Sequence, residues 1–80
     1  MSLRILIKPS DIQNWLAQRG GQPARRRSTD ADFRILFDAP SADCEPLRVE
    51  DFLTALRLSH QVVLVDEEPG KTFHRFVPRA

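Results

Sequence analysis

Trp15-Leu16-Ala17-Gln18-Arg19-Gly20-Gly21-Gln22-Pro23-Ala24-Arg25 holds a helix end, a sharp reversal and the start of a strand within eleven residues. Just upstream, Ile12, Trp15, Leu16 and Arg19 fall at i, i+3, i+4 and i+7, one stripe of an amphipathic helix. The first three form its buried face, and Arg19 ends the stripe. Gly20 or Gly21 is predicted to stop the helix, because a glycine enters the left-handed backbone region at little steric cost. The helix is predicted to start at Ser10, where Ser10 and Gln13 have the spacing of a capping box. Asp11 then meets the positive end of the helix dipole. Pro9 closes the preceding segment, since it confines the residue before it to extended geometry. There Leu3, Ile5 and Ile7 alternate with Arg4, Leu6 and Lys8, the pattern of a short strand or arm.

Working downstream, residues 24–27 are predicted to be an edge strand, because Pro23 has no N–H to give to a ladder. Residues 28–32, Ser-Thr-Asp-Ala-Asp, read as a hairpin loop. Phe33, Ile35 and Phe37 alternate with Arg34, Leu36 and Asp38 as a half-buried strand. Residues 39–46 read as a loop, with Pro40 and Pro46 bracketing Cys44. Val49, Phe52, Leu53 and Leu56 repeat the helical spacing, with Glu50 and Asp51 in the first turn. Residues 62–65, Val-Val-Leu-Val, are apolar on both sides and fit a central strand. Residues 67–71 turn around Pro69-Gly70, and 72–77 form a closing strand ended by Pro78. The order is αββαββ, with residues 1–9 as an arm or extra strand. It predicts an α+β two-layer sandwich, with an antiparallel sheet of about four strands and both helices on one face. The two αββ halves share no side-chain pattern, so they do not read as a repeat. Residues 1–80 form one domain, which at this length buries only a little over ~60% of its unfolded surface.

The run Ile12-Gln-Asn-Trp15-Leu-Ala-Gln-Arg19-Gly20-Gly21-Gln-Pro23-Ala24 resembles the opening signature of a family of small uncharacterised bacterial proteins, approximately I-x-x-W-A-x-x-R-G-G-x-P-A. Phe33-Arg-Ile35-Leu-Phe37 is similar to that family's first long strand. Glu50-Asp51-Phe52 resembles its acidic helix start, and Phe73-His-Arg75-Phe-Val77 its last strand. The family usually has Ser-Trp before the second helix. Here Arg48-Val49 stands there, so the hydroxyl cap is missing. Some members carry an inherited label of 1,4-alpha-glucan branching enzyme. That label does not suit this chain, because branching enzymes resemble large barrel glycosidases and such a barrel alone takes ~250 residues. Glycoside chemistry also needs two carboxylates facing each other across a sugar-binding cleft. The resemblance brings no established activity with it.

Composition narrows the function further. Hydrophobic residues at 41% and charged ones at 29% are ordinary for a globular domain. The net charge of +1 is unevenly spread: residues 1–36 carry seven basic and three acidic side chains, residues 37–80 five and eight. One region thus suits an anionic partner and the other a basic one. A single cysteine, Cys44, excludes an internal disulfide and points to a reducing cytoplasm. No apolar run approaches the ~20 residues of a membrane helix, so no membrane role is expected. Cys44, His60 and His74 lie 16 and 14 residues apart, unlike the close ligand pairs of structural zinc sites. No metal, cofactor or catalytic residue is therefore assigned. Gly20-Gly21 leads into a strand, unlike a phosphate-binding loop. Trp15 reads as core, and Asp66-Glu67-Glu68 as a solvated turn.

One charged cluster remains. Arg25, Arg26 and Arg27 are flanked by Arg19 and Arg34. On a strand Arg25 and Arg27 share a face, and Arg34 on a paired strand can turn towards water. Arg19, Arg25, Arg27 and Arg34 are thus the candidate binding residues. Three readings stay open: an edge strand guarded by charge, a weak sequence-insensitive site for nucleic acid or another polyanion, and a site for an acidic protein. A second signal favours protein contact. With Phe33, Ile35 and Phe37 turned to the helices, Leu36 faces away. Either Val62 and Leu64 or Val63 and Val65 join it, as does Phe76 or the Phe73–Val77 set. A sheet apolar on both faces needs a cover, which the arm at residues 3–7, a second copy as homodimer or another protein can supply. The sequence thus predicts a non-enzymatic domain that acts by binding, most readily to protein, with nucleic acid as the alternative.

Overall fold

The computed structural model describes residues 2–27, 33–37 and 42–79. The described elements are β1 (Leu3–Leu6), α1 (Pro9–Arg19), β2 (Gln22–Arg26), β3 (Phe33–Leu36), β4 (Cys44–Pro46), α2 (Val49–Leu58), β5 (Gln61–Asp66) and β6 (His74–Pro78). The class is α+β, as expected, but the strands form two antiparallel sheets of three, ordered β1-β5-β6 and β3-β2-β4, in place of one sheet of about four. The predicted hairpin loop at 28–32 lies outside the described residues.

α1 begins earlier than the capping-box spacing predicts. Pro9 takes the first helical position, where its fixed φ suits the helix and its missing N–H is no loss. Lys8 is the N-cap and makes no side-chain cap bond. Its carbonyl accepts the amides of Asp11 and Ile12 at 3.1 and 3.2 Å. Ser10 therefore lies inside the helix and the Ser10–Gln13 box does not form. At the other end the two glycines have different tasks. Gly20 takes the left-handed conformation at φ 66°. Gly21 supplies space: a Cβ there would lie 2.9 Å from Leu16 Cδ2 and 3.0 Å from both Ile35 Cγ2 and Phe37 Cε1.

β2 is the central strand of its sheet, which overturns the expectation of an edge. Pro23 pairs with Ile35 on one side, and on the other its carbonyl accepts the Leu47 amide at 2.9 Å. The return bond would need a proline N–H. The Gln22 side chain supplies a donor in its place, with Nε2 3.1 Å from the Leu47 carbonyl. β4 was expected to be loop. It has only three residues, paired as Arg26–Cys44, Arg25–Glu45 and Ala24–Pro46.

In the other sheet β5 is central, as its apolar run predicts. Leu6, Val63 and Phe76 lie side by side across β1, β5 and β6, as do Arg4, Val65 and His74. Leu6, Val63 and Val65 form the sheet side of the core, against Ile12, Trp15 and Leu16 of α1 and Phe52 and Leu56 of α2. Both helices thus pack on this face. The two sheets meet through rings. Phe33 of β3 stands edge-on to Phe76 of β6 at 5.0 Å, and Phe37 lies 5.5 Å from the His74 ring. Such ring pairs add about 0.5–1.5 kcal/mol each beyond their burial.

Candidate functional site

The register splits the arginine cluster. Cross-strand partners share a face, and Arg25 is paired with Phe33 while Arg34 is paired with Ala24. Arg34 is exposed, as expected, but on the side opposite to Arg25 and Arg27. The expected convergence of three guanidiniums on one face therefore does not occur.

Arg25 and Arg27 converge instead on Glu45, contributed by β4. Arg25 Nε donates to Glu45 Oε1 at 3.0 Å, and Arg25 Nη2 pairs with the same oxygen. Arg27 Nη1 lies 3.6 Å from Glu45 Oε2, and its Nε donates to the Ala42 carbonyl at 3.3 Å. The hydrogen bond and charge of Arg25, with Arg27 behind it, hold the Glu45 carboxyl below its usual range against the opposing effect of burial. Arg25 and Arg27 thus share one carboxylate.

Arg19 stands apart from both groups. Its Nη2 donates to the carbonyls of Asp66, Glu67 and Glu68 at 3.3, 3.0 and 3.1 Å, and its Nε to that of Lys71 at 2.8 Å. The guanidinium carbon lies 5.0 Å from the Trp15 ring centroid, a cation–π contact. Trp15 Nε1 donates to the Asp66 carbonyl at 3.3 Å, and its ring is buried as predicted. One turn of α1 therefore clamps the reversal between β5 and β6. Asp66 is not the solvated residue expected of that turn, since it is 3% exposed. Its Oδ1 accepts the amides of Glu68 at 3.0 Å and Ser2 at 3.3 Å. The Glu68 bond above all, aided by Ser2, holds this carboxyl below its usual range although burial opposes the charge. Sequence reasoning missed the clamp because its acceptors are backbone carbonyls.

The second signal, apolar residues on both sheet faces, takes a definite form. Ile5, Leu64 and Arg75 form a row on the outer face of β1-β5-β6, and Val62 pairs with Val77 beside it. Phe76 turns inward to the core, and Leu36 belongs to the other sheet. The N-terminal segment, read as an arm or extra strand and as one of three candidate covers, is a strand of the β1-β5-β6 sheet. β1 widens the outer face, leaving Leu3 49%, Ile5 52% and Ile7, just beyond its end, 54% exposed.

Cys44 is buried at the start of β4, His60 follows α2, and His74 lies among the rings between the sheets. Among the described residues, no three potential ligands from His, Cys, Asp and Glu gather to hold a metal ion. No described helix is long and apolar enough to cross a membrane. Compared with protein-family models, curated proteins and solved structures, the chain matches none.

Proposed function

We propose that this chain is a non-enzymatic binding domain that takes a protein partner, either another protein or a second copy, on the outer face of the β1-β5-β6 sheet. The observation that carries the reading is the half-exposed pair Leu3 and Ile5, continuous with Leu64 and Val77. An apolar patch on one sheet face, beside an edge strand with unpaired backbone groups, is what protein association buries. The basic strand supports this reading less directly. Arg25 and Arg27 share the Glu45 carboxylate, which leaves less positive charge for phosphates.

The test compares the wild type with Ile5→Lys and Leu64→Lys in sedimentation and in capture from native lysate. The reading expects wild-type association, either as a species of twice 9.2 kDa or as a defined captured protein. Either substitution should abolish it while leaving the circular dichroism spectrum unchanged. A wild type that neither associates nor captures anything the variants lose would sink the proposal. Titration with mixed DNA and RNA at low salt tests the alternative. Two phosphate contacts, from Arg25 and Arg27 on their shared face, would give a log–log salt slope of about −1 to −2. Such binding, lost on Arg25→Gln with Arg27→Gln, would replace the protein reading.

A further inference from the structure

At the end of α1 remote from the Arg19 clamp, a groove of about 570 Å³ opens between the start of α1, α2 and the end of β6. Ile7, Ile12, Leu53 and Leu56 give it an apolar lining. Lys8, Arg57 and Arg79 also line it, against a single carboxylate, Glu50. Each cation is placed by the backbone. Lys8 is the N-cap of α1, and Arg57 lies in the last turn of α2. The Arg79 amide donates to the His60 carbonyl at 2.7 Å, which ties the end of β6 to the start of β5. None of the three cationic side chains forms a hydrogen bond or ion pair among the described residues. Arg4 offers a contrast on the same sheet: it reaches both Asp11, at 3.5 Å, and Glu67, at 3.3 Å.

The volume lies within the ~300–1,000 Å³ typical of small-molecule sites, which combine an apolar lining with a few polar groups that orient the ligand. Here the orienting charge is of one sign, with three cations against one acid. We propose that the groove binds an amphipathic organic anion, with an apolar body against Ile12, Leu53 and Leu56 and a carboxylate head held by Lys8, Arg57 and Arg79. A carboxylate matches the planar fork of a guanidinium and presents acceptors only, where these side chains present donors only. Glu50 on the same rim attracts a cationic amphiphile less than the three cations repel it, and it tempers the attraction of a doubly charged head. Of the outer-face residues named above the groove shares Ile7 alone, so the site stands whether or not that face binds protein.

Isotope-labelled protein titrated with dodecanoate, below the concentration at which the probe aggregates, tests the proposal by amide chemical shifts. One equivalent should saturate the site, with the largest shifts at Ile12, Leu53, Thr54, Arg57 and Arg79. Dodecyltrimethylammonium, with the same tail and the opposite charge, should produce no saturable shifts there. Arg57→Gln combined with Arg79→Gln should weaken dodecanoate by about tenfold or more, the scale of charged hydrogen bonds lost at a partly desolvated site. Because neither side chain has a partner among the described residues, the double variant should retain the wild-type spectrum elsewhere. Equal binding of the two probes, shifts centred on Ile5 and Leu64, or an affinity unchanged in the double variant would each overturn the assignment. Tighter binding of anionic lipid vesicles than of monomeric dodecanoate would also overturn it, in favour of a membrane surface.

Discussion

Each helix of this protein carries an arginine in its last turn, and the two are used in opposite ways. Arg19 of α1 gives its donors to four carbonyls of the β5–β6 reversal and lies over Trp15. Arg57 of α2 points into the edge of a groove with no side-chain partner among the described residues. Residue type and helix position are the same, and the dipole favours a cation at both ends. What differs is the chain opposite. A reversal that turns four backbone carbonyls to one side faces Arg19, whereas an open apolar trough faces Arg57. Four carbonyls converge on one planar set of donors, so the first arginine is bound to the fold. The second remains available to something outside it.

The largest expected effect lies within the clamp. Trp15→Ala removes a buried ring and the donor to the Asp66 carbonyl, and truncations of this kind cost about 3–5 kcal/mol. A domain of this length has about 4–12 kcal/mol of stability in all. Urea titration should therefore find the variant largely unfolded or its midpoint sharply lowered. An unchanged midpoint would mean that the ring carries little of the core.

Next comes the contrast itself. Arg19→Lys keeps the charge but cannot reach several carbonyls with one planar fork, and should cost about 1–3 kcal/mol. Arg57→Lys should stay within about 0.5 kcal/mol, as surface changes without partners do. Equal losses from the two substitutions would erase the distinction between them.

The smallest effect is read from the acid limb of stability. Asp66 has its carboxyl lowered in the fold from an ordinary value near 3.8, so the unfolded chain binds the proton more readily. Its contribution is therefore complete above that value and disappears as pH falls through the lower, folded one. Asp66→Asn should flatten the acid limb of stability below about pH 4. A wild type and variant with parallel acid limbs would show that the Glu68 and Ser2 amides hold the neutral group equally well.

Much of the fold was legible because it is written in periodicity. The two helical stripes, the helix stop at Gly20-Gly21 and the apolar run of β5 each follow from spacing alone. The separation of roles between Gly20 and Gly21 was not legible, since it depends on Leu16, Ile35 and Phe37 arriving at one point. Pro23 misled for a physical reason: the edge rule assumes that a missing N–H has no substitute, and Gln22 provides one. β4 has three residues, ends in proline and shows no alternation that its sequence could display. Its existence follows from pairing with β2. The arginine cluster was visible as composition, but strand register decides which faces its members occupy. The groove was invisible, because its residues run from Ile7 to Arg79 and share no local pattern.

The pairing of β1 with β5 has a consequence for the birth of the chain. In the β3-β2-β4 sheet every pair joins residues between 22 and 46, so that sheet can assemble from a short local stretch. β1 must wait for a partner at the other end: Leu3 pairs with Asp66 and Leu6 with Val63. During synthesis β1 thus stays without its partner until β5 is made, and closing so long a loop precedes any reward from the contact. Until then Leu3, Ile5 and Leu6 emerge as an unpaired apolar strand, with Arg4 in its midst and Lys8 just after it. Those two charges interrupt the run at the stage when association between nascent chains is most damaging.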